Sequence, residues 1–187
     1  KGPRSLQWRT DKPSTVYWAE ALDGGDPAVE VSERDAVYTL AAPFVISPSL
    51  LVKTKERYAG IQWGDDNIAI LYERWWNTRN SRILVFNPSN PDAAPRLFNE
   101  RNEQDNYADP GNFVTKRNKY HLNSLDINNN SLYMIGDGFS KDGKFPFIDK
   151  YTIKDFTKNR IYQSEDQQKL EQLISAVDVS KGIYLTR

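Results

Sequence analysis

The sequence predicts an all-β fold: a partial β-propeller of about three four-stranded blades followed by the first hairpin of a fourth. Three observations predict it. Four stretches share one design, a short alternating apolar segment ending in Trp or Asp, a polar turn, and a second alternating apolar segment, beginning at Ser5, Tyr58, His121 and Gln172. Their punctuating residues, Trp8, Trp63, Asp126 and Asp178, are spaced by 55, 63 and 52 positions, the period of a propeller built from strand hairpins. Aromatics make up 12% of the 187 residues, with five Trp and ten Tyr, and such side chains favour pleated, half-buried surfaces.

Each repeat continues with two further strand-like segments. In the first, Ser14–Ala19 alternates, with Val16 and Trp18 on one face and Thr15, Tyr17 and Ala19 on the other. Asp35–Ala42 and Leu50–Thr54 follow, joined by a loop that holds Pro43 and Pro48. The second repeat places Ile68, Ile70 and Tyr72 opposite Ala69 and Leu71, so that both faces are apolar, as a sheet packed between neighbours requires. Arg82–Asn87 and Pro95–Asn99 complete it. The third offers Pro146–Ile153 and Arg160–Gln163 after the hairpin from His121. Asp65-Asp66-Asn67, Asn128-Asn129-Asn130 and Ser180-Lys181-Gly182 fall where each hairpin must reverse, and these residue types tolerate the left-handed backbone of tight turns.

The length suits one domain, read as a single partial propeller over 1–187. Blade one covers about 4–57, blade two about 58–118 with an insertion at 99–118, blade three about 119–166, and an incomplete blade four about 167–187. Leu22–Glu33 is a second polar insertion. Between Glu165 and Ile174 the spacing of Leu170, Leu173 and Ile174 fits a short amphipathic helix, but the repeat register makes its end a strand, leaving helix only before Leu170.

Charge and motifs exclude several classes of function. The 25 basic and 25 acidic residues cancel, and they cancel within each third of the chain, so no segment offers the single-sign field that nucleic acid or an anionic membrane selects. No apolar run is long enough to span a bilayer. The absence of cysteine removes disulfides and thiolate metal sites. Asn129-Asn130-Ser131 matches the glycosylation pattern inside an Asn-rich turn, where a match carries little information. No Gly-x-Ser-x-Gly elbow is present, and the one histidine, His121, stands in a strand position that Ala59 fills in the preceding repeat, so no catalytic residue is assigned. Asp65-Asp66 and Asp137/Asp142 lack the full spacing of a calcium loop. Gly24-Gly25 lacks the helix that a phosphate cradle needs. No metal or cofactor is expected.

The most distinctive cluster is Glu73-Arg74-Trp75-Trp76-Asn77-Thr78-Arg79. Guanidinium forks pair with carboxylates and stack on aromatic rings, so Arg74, Trp75, Trp76 and Arg79 are the candidate substrate-binding residues. The competing structural reading packs one Trp between blades and uses the other to cap the hairpin.

Longer words are also recognisable. QWRTDKPSTVYWAEALDGGDPAVEV, RDAVYTLAAPF, RYAGIQWGDDNIAILYERWWNTR and YADPGN resemble the N-terminal propeller of serine peptidases of the prolyl oligopeptidase family, in the glutamyl endopeptidase-like branch. The resemblance runs from about Gly2 to Arg187. It implies a propeller of seven or eight blades over a C-terminal α/β-hydrolase domain with a Ser, Asp and His triad; this chain departs from that pattern by lacking the hydrolase domain and the later blades, so no catalytic residue is carried over. It further implies that the propeller gates peptide access to that domain, that the parent cleaves after Glu with Arg74 or Arg79 as candidate partners of the substrate carboxylate, and that the protein is periplasmic or secreted in a bacterium. The expected partners are a peptide substrate, the hydrolase domain and a second copy of the chain through exposed blade faces. The alternative is a stand-alone propeller-like module that binds protein or peptide without chemistry.

Overall fold

A computed structural model describes residues 2–165 and 171–186. The described residues are all-β, apart from one 3-10 turn at Val179–Lys181, and are organised as four-stranded antiparallel sheets of the propeller-blade type. They group into two compact units, one formed by the chain up to Asn102 with Arg117–Ser124, the other by Glu103–Lys116 with the chain from Leu125 onward.

The first unit contains two meanders, each with its strands in chain order. The first comprises β1 (Arg4–Trp8), β2 (Thr15–Ala21), β3 (Asp35–Ala41) and β4 (Ser49–Thr54). The second comprises β5 (Arg57–Asp65), β6 (Ile68–Trp75), β7 (Asn80–Phe86) and β8 (Arg96–Asn102). Alternation decides what meets between them. Tyr17, Ala19, Val37 and Val52 of the first sheet pack on Trp63, Ala69, Leu71, Leu84 and Phe86 of the second. The Trp63 indole is 2% exposed, with Tyr17 edge-on at 5.0 Å and Arg9 over its ring at 4.2 Å. Burial of this kind stabilises by about 25 cal/mol per Å2 of apolar surface removed from water. Val16 and Trp18 occupy the opposite face, where they line an apolar groove with Leu6, Trp8 and Phe44. The turn after β5 is held by the Asp65 carboxylate, which accepts hydrogen bonds from the Asn67 and Ile68 N–H groups.

The second unit is built on β12 (Ser131–Gly136), β15 (Phe147–Thr152) and β16 (Lys158–Gln163). The hairpin β13 (Phe139–Ser140) and β14 (Gly143–Lys144) lies between β12 and β15 in sequence. β17 (Leu173–Asp178) pairs with β18 (Ile183–Thr186). Val114, Tyr133, Ile148 and Val179 form one buried cluster of this unit, flanked by Ile135, Tyr162, Leu173 and Tyr184.

One inner strand differs from expectation. β12 pairs with β15 on one edge, and the strand on its other edge is β9 (Asn112–Phe113), from the stretch read as insertion, whereas residues 115–125 form a ribbon of β10 (Thr115–Arg117) and β11 (Asn123–Leu125). Gly111 supplies the physical reason. It has φ +87°, and a Cβ there would lie 2.3 Å from the Ile135 carbonyl oxygen, so only glycine brings the backbone this close to β12. His121, at φ +59°, is a turn residue of the ribbon and donates its N–H to the Asn118 carbonyl at 2.9 Å. The helix expected before Leu170 lies outside the described residues.

Candidate functional site

The candidate site lies within the first unit, where the loop from β2 to β3, the connection from β4 to β5, and the turn from β6 to β7 line shared cavities. Its foundation is ionic. Asp23 and Asp35 have fully buried side chains. Asp23 accepts hydrogen bonds from the Gly25 N–H at 2.9 Å, Arg34 Nη1 at 3.0 Å and Arg57 Nη2 at 2.6 Å. Asp35 accepts from the Tyr58 N–H at 2.7 Å, from Arg57 Nη1 at 3.1 Å and from Arg4. Burial alone raises the Asp23 pKa, but the hydrogen bonds from Arg57, Gly25 and Arg34 outweigh it and hold the carboxyl below its ordinary value.

A second buried carboxylate anchors the hairpin that carries the candidates. Glu73 is 2% exposed; it accepts from the Lys55 N–H at 3.2 Å, the Glu56 N–H at 3.4 Å and Arg82 Nη1 at 2.5 Å. Its pKa is raised, because burial outweighs the Arg82 charge and these hydrogen bonds. Glu73 therefore ties the chain leaving the first sheet to the middle of the second.

The turn after β6 is closed by a hydrogen bond from the Arg79 N–H to the Trp76 carbonyl at 3.3 Å, with Arg79 at φ +58°. The four sequence candidates come together here in two stacked groups. Trp76 is 63% exposed and carries the Arg79 guanidinium over its ring at 3.6 Å and that of Arg74 at 5.6 Å. Trp75 is half-buried and lies under the Arg34 guanidinium at 3.9 Å. Cation–π contacts of this kind hold an exposed indole in one orientation.

Trp75 separates two cavities. One, of about 530 Å3, combines the basic Arg34 and Lys55 with the acidic Glu56 and Glu100. The other, of about 460 Å3, lies against Arg57, Arg74 and Trp76. Asp23, Arg34, Arg57 and Glu73 were not among the sequence candidates. Their ionic partners stand 9 to 34 positions away, and the only local hint was an Asp ahead of two glycines in a polar loop. Among the described residues no group of three or more His, Cys, Asp or Glu is placed to hold a metal ion, and no helix is long and apolar enough to cross a membrane.

No family model matches the sequence, and no solved structure matches it. It is similar to two curated plant proteins. The chain is 37% identical over 182 residues to "Probable glutamyl endopeptidase, chloroplastic" of Oryza sativa subsp. japonica, covering 94% of this chain and 19% of that protein. It is also 37% identical over 189 residues to the protein of the same name from Arabidopsis thaliana, covering 97% of this chain and 20% of that protein. The chain thus spans about a fifth of the length of the curated relatives it matches, and over that fifth it is a homologue of peptidase-named proteins. The expected bacterial periplasmic or secreted location is overturned, because both relatives are named as chloroplast proteins of plants.

Proposed function

We propose that this chain is a propeller segment of a serine peptidase of the glutamyl endopeptidase kind, and that it admits peptides to a hydrolase domain elsewhere in the protein without cleaving them itself. The observation that carries this reading is the 37% identity across nearly the whole chain to a fifth of two proteins named glutamyl endopeptidase. Four-stranded meanders whose turns gather cations and aromatics at one site suit the role. Catalysis in such an enzyme needs a nucleophile and a base within hydrogen-bond reach, and the sequence offers one histidine and no nucleophile elbow.

In this reading the parent cleaves after Glu, and Arg74 and Arg79, on their indole platform, contribute contacts to the substrate carboxylate. Gating is tested with the full-length protein encoded with this chain. A peptide of about ten residues containing one Glu is short enough to enter a recessed site of ordinary pocket dimensions and should be cleaved, while the same sequence within a folded domain should remain intact. Equal cleavage of both contradicts gating.

A further inference from the structure

The two sheets of the first unit follow one plan, but among the described residues only the second has its Trp face covered. Leu6-Gln7-Trp8 in β1 corresponds to Ile61-Gln62-Trp63 in β5. In each sheet a hydroxyl on the second strand donates to that glutamine, Tyr17 to Gln7 Oε1 at 2.6 Å and Tyr72 to Gln62 Oε1 at 2.8 Å. The ladders carry the match across three strands: Trp63, Ala69 and Phe86 are partners in the second sheet, and Trp8, Val16 and Leu40 are partners in the first. Trp63 is 2% exposed, because the face of the first sheet that bears Tyr17 and Ala19 packs on it, with the Tyr17 ring edge-on and Arg9 over the indole. Trp8 is 60% exposed and lies in the groove with Leu6, Val16, Trp18 and Leu40.

We propose that the Trp8 groove seats a further sheet of the same full-length protein, and that this sheet presents an aromatic and a small residue two positions apart, the counterparts of Tyr17 and Ala19. Stacked sheets interdigitate at a spacing of about 10 Å, so a sheet face fills a groove that crosses β1, β2 and β3 where a single side chain would not. No charged side chain stands among the described lining residues, and the groove therefore offers an ionic ligand nothing to pair with. A second copy cannot supply the complementary face, since its own Tyr17 and Ala19 are covered by its second sheet; isolated chains are left to appose like grooves. This chain spans about a fifth of its curated relatives, and a protein of that length has chain to spare for such a sheet. The inference rests on the reading of this chain as a propeller segment of a longer protein, and not on that protein's chemistry.

Hydroxyl-radical footprinting, read residue by residue by mass spectrometry, tests this on the full-length protein and on the 187-residue chain at a dilution that keeps the latter monomeric. Trp63 is the internal reference for a covered indole. In the isolated chain Trp8 should oxidise much faster than Trp63; in the full-length protein its rate should fall to that of Trp63 and stay there on dilution. A photo-cross-linking residue in place of Leu6 then identifies the occupant. It should join this region to another segment of the same chain, one that carries an aromatic and a small residue two positions apart. Trp8 oxidised as fast in the full-length protein as in the isolated chain, or protection lost on dilution, overturns the proposal. So does a cross-link to a second copy, to a different protein or within these residues, or no cross-link at all. If Trp8 is protected while the full-length protein cleaves nothing after Glu, the docking assignment stands and the peptidase reading fails; cleavage after Glu with Trp8 unprotected gives the reverse.

Discussion

Arg57 Nη2 donates to Asp23 Oδ2 at 2.6 Å, joining the first residue of β5 to the loop that leaves β2. The same guanidinium reaches Asp35 at the start of β3. One side chain of the second sheet is thereby held by two buried carboxylates of the first, on the cavity lined by Trp75 and Trp76. Apolar packing sets the distance between the two sheets, and this ionic pairing sets how their turns align.

Removing Asp35 takes an acceptor from the partly exposed guanidiniums of Arg4 and Arg57 and from the buried Tyr58 N–H. Asp35→Ala should cost about 3–5 kcal/mol, the range for breaking a buried pair from one side. Urea denaturation measures it as a lowered midpoint with an unchanged slope. A loss within about 0.5 kcal/mol, the size of an ordinary surface substitution, would show that Arg57 is satisfied without Asp35.

Asp23 predicts an acid-side dependence. Its folded pKa is depressed below that of the unfolded chain, so its contribution is fully present above the unfolded value of about 3.9 and is lost as pH falls through the folded value. Asp23→Asn should therefore lower stability at neutral pH and flatten the decline between neutral and strongly acid solution. Denaturation midpoints measured against pH provide the check, and identical acid limbs in both proteins contradict it.

Gly111→Ala should detach β9 from β12. A Cβ at this residue meets backbone atoms at 2.3 and 2.6 Å, and backbone cannot swing aside as a flexible side chain does. The expected destabilisation is about 2 kcal/mol or more, with φ strain added to the clash. Amide exchange at Phe113 and Met134, paired in the ladder, should accelerate selectively.

The chain should self-associate. Leu6, Trp8, Val45 and Ile46 of the first unit are 60–80% exposed, and the groove formed by Leu6, Trp8, Val16, Trp18, Leu40 and Phe44 has an apolar lining. Contiguous apolar patches of this type drive association, most simply as a symmetric dimer. Light scattering should show mass rising with concentration, and Leu6→Lys should reverse it; a monomer at high concentration contradicts the expectation.

The sheets were legible in the sequence because a period of two and turn residues at fixed places encode them locally. Tyr17 and Ala19 face the second sheet and Val16 and Trp18 the opposite face, as their alternation requires, and Asp65 closes its turn as an aspartate at that position should. The inner strand beside β12 was misplaced because two residues carry little periodic signal, and because the requirement for Gly111 exists only once β12 is opposite it. The Trp75–Trp76 cluster was legible as unusual composition. The ionic base under it was not: Asp23, Arg34 and Arg57 are ordinary charged residues until folding brings a loop, a strand start and a second sheet together.

Hydrolysis of short chromogenic peptides with Glu, Asp, Pro or Ala before the scissile bond, by this chain and by the full-length protein side by side, bears most directly on the proposed role. The account predicts an inactive chain and a full-length protein that cleaves fastest after Glu. Cleavage by the 187-residue chain itself, or a full-length protein that cleaves none of the four, would contradict it.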